Sequence, residues 1–338
     1  MNRTFSYDDV LLVPQYSDIR SRSEIDISTD LGKGLKLQLP ILASPMDTIS
    51  EAAMATAMTK VGATAIIHRY NTIEKQASHV EQVPSPAIVG AAIGVTGDCL
   101  ERASALIEAG ATFLCVDVAH GHHIMVKETL QLLRKKFGDQ LHIMAGNVAT
   151  LVGINDVADW GADSVRCNIG GGSICSTRVQ TGHGLPGLQT IIECSKTDRD
   201  VKIIADGGIK NSGDIVKAIA AGADAVMIGS LLAGVTEAPG EIHMDAKGMR
   251  WKTYRGMASK EAQINWKGKY SSFEGVTSRV PLRGPVSLIL DDLETGIRSG
   301  FSYSGARNLR RLRIRAQFVS QTSSGLSESR AHITNRKW

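Results

Sequence analysis

Short apolar, β-branched runs recur along the chain, and most are followed by an alanine-rich stretch whose apolar positions return at helical spacing. The runs fall at 39–44, 63–68, 87–95, 112–118, 142–148, 164–169, 202–206 and 225–228. Helical periodicity follows at 51–61, 99–109, 124–137, 152–160, 187–195 and 212–221. Continuous apolar strands alternating with helices predict a parallel sheet covered on its outer face. Eight such units before a long segment starting at Val235 predict an α/β fold, a (β/α)8 TIM barrel. Residues 1–338 then form one catalytic domain with an N-terminal extension over 1–38, a flap over about 235–285 and a C-terminal extension over about 286–338. Strand count alone leaves a doubly wound open sheet as the alternative. Two features favour closure. Asp206-Gly207-Gly208 and Gly229-Ser230 follow strands seven and eight, where such barrels hold phosphate, and no GxGxxG follows the first strand.

Composition narrows the class. The 338 residues are 43% hydrophobic and 21% charged, the balance of a globular protein. A net charge of +4, evenly spread, gives no footprint for nucleic acid. The run Arg307 to Arg315 predicts a solvated helix face, with an anion or subunit contact as the alternative. Five cysteines (Cys99, Cys115, Cys167, Cys175, Cys194) show no metal-ligand spacing and suit a reduced compartment. No signal peptide or membrane span is evident, so a cytoplasmic protein without membrane partners is expected.

The candidate chemistry gathers at 169–178, where three glycines precede Ser173, Cys175, Ser176, Thr177 and Arg178. Such a loop can bring amides against a phosphate or ion, and its cysteine is either a nucleophile or a buried structural thiol. Asp47, His68, Asp117, Asn147, Asp206 and Ser230 also stand at the C-terminal ends of predicted strands, where barrel chemistry sits. The segment 235–285, polar and carrying Gly256, Gly268 and Gly275, predicts a mobile lid.

The loop, Asp206-Gly207-Gly208, Gly229-Ser230 and Tyr254-Arg255-Gly256-Met257 occur in an order that resembles the IMP dehydrogenase/GMP reductase family. The likeness extends from Tyr7-Asp8-Asp9-Val10 through Ser44-Pro45-Met46-Asp47 to Arg298-Ser299-Gly300. It implies that Cys175 adds to C2 of a purine nucleotide, while Thr177 and Glu274 relay a proton. It implies substrate binding by Ser44, Met46, Ser173, Asp206, Gly208, Gly229, Ser230, Tyr254, Gly256 and Met257. Asp117, Asn147, Arg166 and Asn168 would face NADPH or NAD. Carbonyls of Gly170, Gly172 and Cys175 would hold potassium, and the chain would form a homotetramer.

The branch is read from differences. Residues 68–86 pass directly to strand three, without the regulatory modules that the dehydrogenases usually insert there. Residues 258–273 contain no arginine, whereas dehydrogenases use a flap Arg-Tyr pair to activate water. Ser21-Arg22-Ser23 and Asp117-Val118-Ala119 also resemble a GMP reductase, while 204–209, 230–234 and 254–257 read more like dehydrogenases. Two departures remain: Asn168 stands where both branches usually carry glycine, and Ser271 stands near a purine-reading arginine of the reductases. The expectation is NADPH-dependent reduction of GMP to IMP. A dehydrogenase oxidising IMP with NAD is the alternative, and a non-catalytic nucleotide-binding scaffold the third.

Overall fold

The structure, a computed structural model, describes residues 3–270 and 274–329. Eight parallel strands form its centre: β1 (Ile41–Ala43), β2 (Thr64–Ile67), β3 (Gly90–Ile93), β4 (Phe113–Val116), β5 (His142–Val148), β6 (Ser164–Cys167), β7 (Lys202–Asp206) and β8 (Ala225–Ile228). β8 pairs with β1, Met227 opposite Leu42, so the sheet closes and the open-sheet alternative is excluded. Around it run α1 (Ala52–Lys60), α2 (Ile73–Glu81), α3 (Cys99–Glu108), α4 (Ile124–Phe137), α5 (Leu151–Asp159), a short α6 (Thr177–Thr181), α7 (Gly187–Cys194) and α8 (Ser212–Ala220).

The period of two along each strand separates two cores. Outward residues such as Ile41, Ala43, Val116 and Ala205 pack under the helices. The inner set of Leu42, Ile66, Ala92, Phe113, Cys115, Met144, Ile204 and Met227 fills the barrel, and Leu31, Leu35 and Leu37 of the N-terminal hairpin pack against it. Gly90 is part of this fit: a Cβ there would overlap the Phe113 ring. The inward series continues past the strands as Asp117 after Cys115, Asn168 after Arg166, and Gly229 after Met227. That is how apolar strands end in polar chemistry.

Helix α2 is not marked by its apolar spacing, and the reason is visible. Its inward position is Gln76, fully buried, whose amide donates to Ile67 O at 3.2 Å and Ala92 O at 2.8 Å. With Ile73, Ala77 and Val80 as its only apolar residues, the helix has too few to mark it by spacing alone.

After β8 the expected lid is a three-stranded antiparallel sheet, β9 (His243–Met244), β10 (Arg250–Arg255) and β11 (Thr277–Pro281), with helix α9 (Lys260–Lys267). Buried Lys252 fixes β10 by donating to the carbonyls of Val235, Thr236 and Ala238 at 3.1, 3.1 and 2.5 Å. Helix α10 (Val286–Tyr303) packs on α1 and α8, taking the eighth helical place. The segment read as an extension therefore completes the barrel layer. The arginine run is only partly a solvated face. In α11 (Leu309–Arg315), Arg313 donates to Ala223 O and Asp224, and Arg315 to Ser304 O and Tyr16 O. These arginines staple barrel and extension, because forked donors can satisfy several loop carbonyls at once.

Candidate active site

The strand ends, the 169–186 loop and the flap enclose a cavity of about 310 Å³. Two left-handed glycines shape its floor. Gly207 and Gly208 have φ of +78° and +76°, and a Cβ at Gly208 would stand 3.2 Å from Gly171 O. Only glycine adopts both conformations at low cost and lets this turn approach the cysteine loop so closely.

Cys175 is exposed at the cavity wall, whereas Cys115, Cys167 and Cys194 are buried and Cys99 is half-buried. Burial pushes the Cys115 thiol up to about 12, so it is inert. Cys175 Sγ lies 3.1 Å from Thr177 Oγ1, and the Thr177 hydroxyl donates to Glu274 Oε2 at 2.8 Å. The chain path makes this chain of groups. Cys175 forms an antiparallel bridge with Gly275, and Ser176 N donates to Glu274 O at 2.9 Å. The flap thus brings a carboxylate from 97 residues away to the cysteine loop.

Behind the cysteine lies a buried charge network. Arg166 donates to Asp117 Oδ1 at 2.6 Å and to Asp206 Oδ2 at 3.0 Å, and Asn147 reaches Asp206 Oδ2 at 2.7 Å. Burial alone would raise the Asp117 carboxyl, but Arg166 and Arg69 overcome it and hold it below the usual range. The same carboxylates push Arg166 further above its ordinary value despite its burial. Asp206 is not a helix cap: Asn211 caps α8 through Asp214 N.

At the other end, Tyr254, Ser44 and Met46 converge on Gly229. A Cβ there would stand 2.8 Å from Ser44 Oγ and 3.2 Å from both Met46 Sδ and Tyr254 Oη. Burial raises the Tyr254 phenol, opposed by its hydrogen bond with Ser173. Neutral hydroxyls, main-chain amides and a glycine floor are the kind of surroundings that suit a phosphate.

Every residue proposed from the sequence for substrate, cofactor or ion lines this cavity: Ser44, Met46, Asp117, Asn147, Arg166, Asn168, Gly170, Gly172, Ser173, Cys175, Thr177, Asp206, Gly208, Gly229, Ser230, Tyr254, Gly256, Met257 and Glu274. His68 does not line it. Its ring is buried beside Glu51 at 3.1 Å and Asn71 at 3.2 Å. Asp47 pairs with Arg255 at 2.5 Å, tying the flap to the barrel. Ser271 lies outside the described residues.

Two participants, Arg69 and Tyr70, carry no mark in the sequence pattern, and Arg178 of the 169–178 run has a role that the run did not show. Arg69 approaches Asp117 at 3.4 Å, Tyr70 stacks on Trp266 of the flap at 5.7 Å, and Arg178 braces the cysteine loop. A buried carboxylate at 117 calls for a cation, which was the available signal for Arg69. The Tyr70–Trp266 contact joins segments whose meeting only the fold creates, and Arg178 acts within its own loop.

A family description, IMP dehydrogenase / GMP reductase domain, matches residues 4–332. The chain belongs to this family. It is 32% identical to an inosine-5'-monophosphate dehydrogenase of Nitrosopumilus maritimus, over 97% of this chain and 98% of that one. It is 31% identical to a GMP reductase of Leishmania major, over 97% and 96%. A solved structure of a Trypanosoma brucei GMP reductase variant in complex with guanosine 5'-monophosphate superimposes at a TM-score of 0.94, with 29% identity and 98% of both chains covered. The alignments to the first two span 466 and 474 positions against 338 residues here. A longer chain therefore occurs under both names, and length does not assign the branch. The family makes this chain an oxidoreductase of purine nucleotides.

Proposed function

We propose that the chain is a GMP reductase, converting GMP to IMP and ammonia with NADPH as hydride donor. The observation that carries this reading is the Cys175–Thr177–Glu274 chain of hydrogen bonds at 3.1 and 2.8 Å. The Cys175 thiolate forms a bond to C2 of the guanine ring. Glu274 and Thr177 pass a proton to the 2-amino group, the C–N bond breaks, and ammonia leaves a cysteine-linked purine. NADPH, when bound, supplies the hydride that reduces C2 and leaves oxidised. The C–S bond then breaks, the electron pair returns to Cys175, and IMP is released.

Support for such a donor comes from the lining: Asp117, Val118 and Ala119 share the cavity with Cys175, and the Asp117 carboxylate would accept from ribose hydroxyls. Arg166 braces Asp117, while Asn147 and Asn168 line the cavity beside Asp206. Potassium belongs to the reading as an ion that orders the loop, because uncharged carbonyls suit a monovalent cation. Gly172 O also accepts Cys175 N at 3.1 Å, and the carbonyls of Gly170, Gly172 and Cys175 would supply part of a shell. No chemical step runs through the ion. A cytoplasmic homotetramer completes the reading.

The second reading, an IMP dehydrogenase forming XMP with NAD, is favoured by relatives of that name at similar identity. In it Thr177 or a lysine of the flap would help activate water, because residues 258–270 and 274–285 supply no arginine before Arg279. A scaffold that only binds nucleotide has no use for the Cys175 relay. The test mixes protein with GMP plus NADPH, and separately with IMP plus NAD, and follows absorbance of the reduced nicotinamide. Consumption of NADPH with GMP is expected. NADH formation with IMP and no reaction with GMP overturns the reductase reading.

A further inference from the structure

Asn168 follows β6 and is only 4% exposed. Its Nδ2 donates to Asp206 O at 2.9 Å and lies 3.4 Å from Gly207 O. Its own carbonyl accepts Asn147 Nδ2 at 3.0 Å, and the same Asn147 amide reaches the Asp206 carboxylate. One residue is thus tied to both the backbone and the side chain of Asp206.

Its amide also underlies the cysteine loop. A Cβ on Gly171 would overlap Asn168 Nδ2 and stand 2.6 Å from Oδ1. The carboxamide therefore occupies the space that a side chain at 171 would need. Among the described residues Asn168 Oδ1 is buried without a partner, a cost that the fold carries to keep the Nδ2 donor where it is.

We propose that Asn168 is a positioning residue that sets the separation between the Cys175 loop and the Asp206–Gly208 segment, with Gly171 as its obligatory neighbour. This rests on the reading that Asp206 and Gly208 hold the nucleotide while Cys175 attacks it. A nucleotide anchored on one side and attacked from the other reacts only when that separation is held closely. The amide stands between the two, hydrogen-bonded to Asp206 O on one side and filling the space under Gly171 on the other.

The test uses the full chain as Asn168→Asp, Gly171→Ala, Asn168→Gly and the double variant Asn168→Gly/Gly171→Ala. Readouts are kcat, KM, affinity for GMP and IMP by calorimetry, and the alkylation rate of Cys175 by iodoacetamide, with melting temperature as the fold check. Asn168→Asp keeps the size but turns an oxygen toward two carbonyls. Its kcat should fall roughly tenfold or more while nucleotide affinity stays within about threefold. Gly171→Ala should lose a similar factor in the native background and less than about twofold when Asn168 is already glycine. An Asn168→Asp enzyme with native kcat, or a Gly171→Ala penalty equal in both backgrounds, overturns the proposal. Should the native protein turn over neither nucleotide pair, the functional reading fails by itself. The alkylation rate then decides for Asn168: a change of at least about threefold in Asn168→Asp and Gly171→Ala supports it, and an unchanged rate overturns it.

Discussion

Five cysteines of one chemical type behave differently because of where each backbone leaves its sulfur. Cys175 alone is exposed, on a loop rather than a strand, with a hydroxyl at 3.1 Å. Cys175→Ala should abolish turnover and leave nucleotide affinity within about threefold, because phosphate and ribose contacts come from other residues. Single-turnover hydride transfer measured beside calorimetry checks this, and turnover comparable to native removes the assignment. Glu274→Gln keeps the shape and the acceptor for Thr177 but cannot cycle a proton. Deamination of GMP should slow by roughly 10²–10⁴-fold, with hydride transfer to a preformed adduct less affected, as read by rapid quench of ammonia release. Asp206 needs a gentler change than alanine. Arg166 is buried between Asp117 and Asp206, and removing one carboxylate outright would strand part of its charge at about 3–5 kcal/mol. Asp206→Asn retains a hydrogen-bonding oxygen. Its KM for nucleotide should rise more than kcat falls, and an unchanged KM would show that Asp206 serves the network alone.

Between β6 and α7 the cysteine loop is held as an element by Arg178. Its Nε donates to Ile169 O at 3.1 Å and its Nη2 to Leu185 O at 2.5 Å, joining the loop's two ends beside the Ile169–Leu185 bridge. Its stem fills the space over Gly170 and Gly184, where a Cβ would stand 2.5 and 2.6 Å from its atoms. Arg178→Ala should lower kcat by roughly tenfold through loop misplacement, while global stability changes by no more than about 1 kcal/mol because the side chain is exposed. Arg178→Lys should recover little, since one ammonium cannot span both carbonyls as a fork does. Urea melts and steady-state kinetics of the two variants separate a loop effect from a folding effect. The flap is a second element of this kind. Lys252 and the Asp47–Arg255 pair hold β10 so that Tyr254 faces Gly229 and Ser173.

Over the whole molecule the two ends of the barrel are built for different purposes. The C-terminal end carries the charge network and the cavity. The N-terminal end is a stability device, where His142 on β5 hydrogen-bonds Ser164 at 2.8 Å near Asp163, which is paired with Arg134 and Lys33. Burial lowers the His142 imidazole from 6.5 to about 4, with Lys33 and Arg134 pushing the same way against Asp163. The folded chain therefore keeps it neutral where the unfolded chain protonates it. Stability from this site is complete above about pH 6.5 and is lost progressively down to about pH 4, by up to about 3 kcal/mol. His142→Gln should flatten that part of the melting temperature against pH profile. An unchanged slope would place the acid sensitivity elsewhere.

The sequence by itself determined the strands, most of the helices and the residues of the cavity. Buried parallel strands must be continuously apolar, and their polar successors must then emerge at one end, so both signals are local. Helix α2 escaped because Gln76 replaces the apolar contact with two hydrogen bonds to strand carbonyls. The arginine run differs from its expected solvated face because its charge is satisfied by carbonyls of distant loops, which composition does not display. Closure of the sheet was decided by the pairing of Met227 with Leu42, a contact between residues 185 positions apart. The Thr177–Glu274 bond, the Arg69–Asp117 approach and the fit of Asn168 against Gly171 belong to the same class. Each depends on where separate segments stop relative to one another in space, and only the folded backbone fixes that.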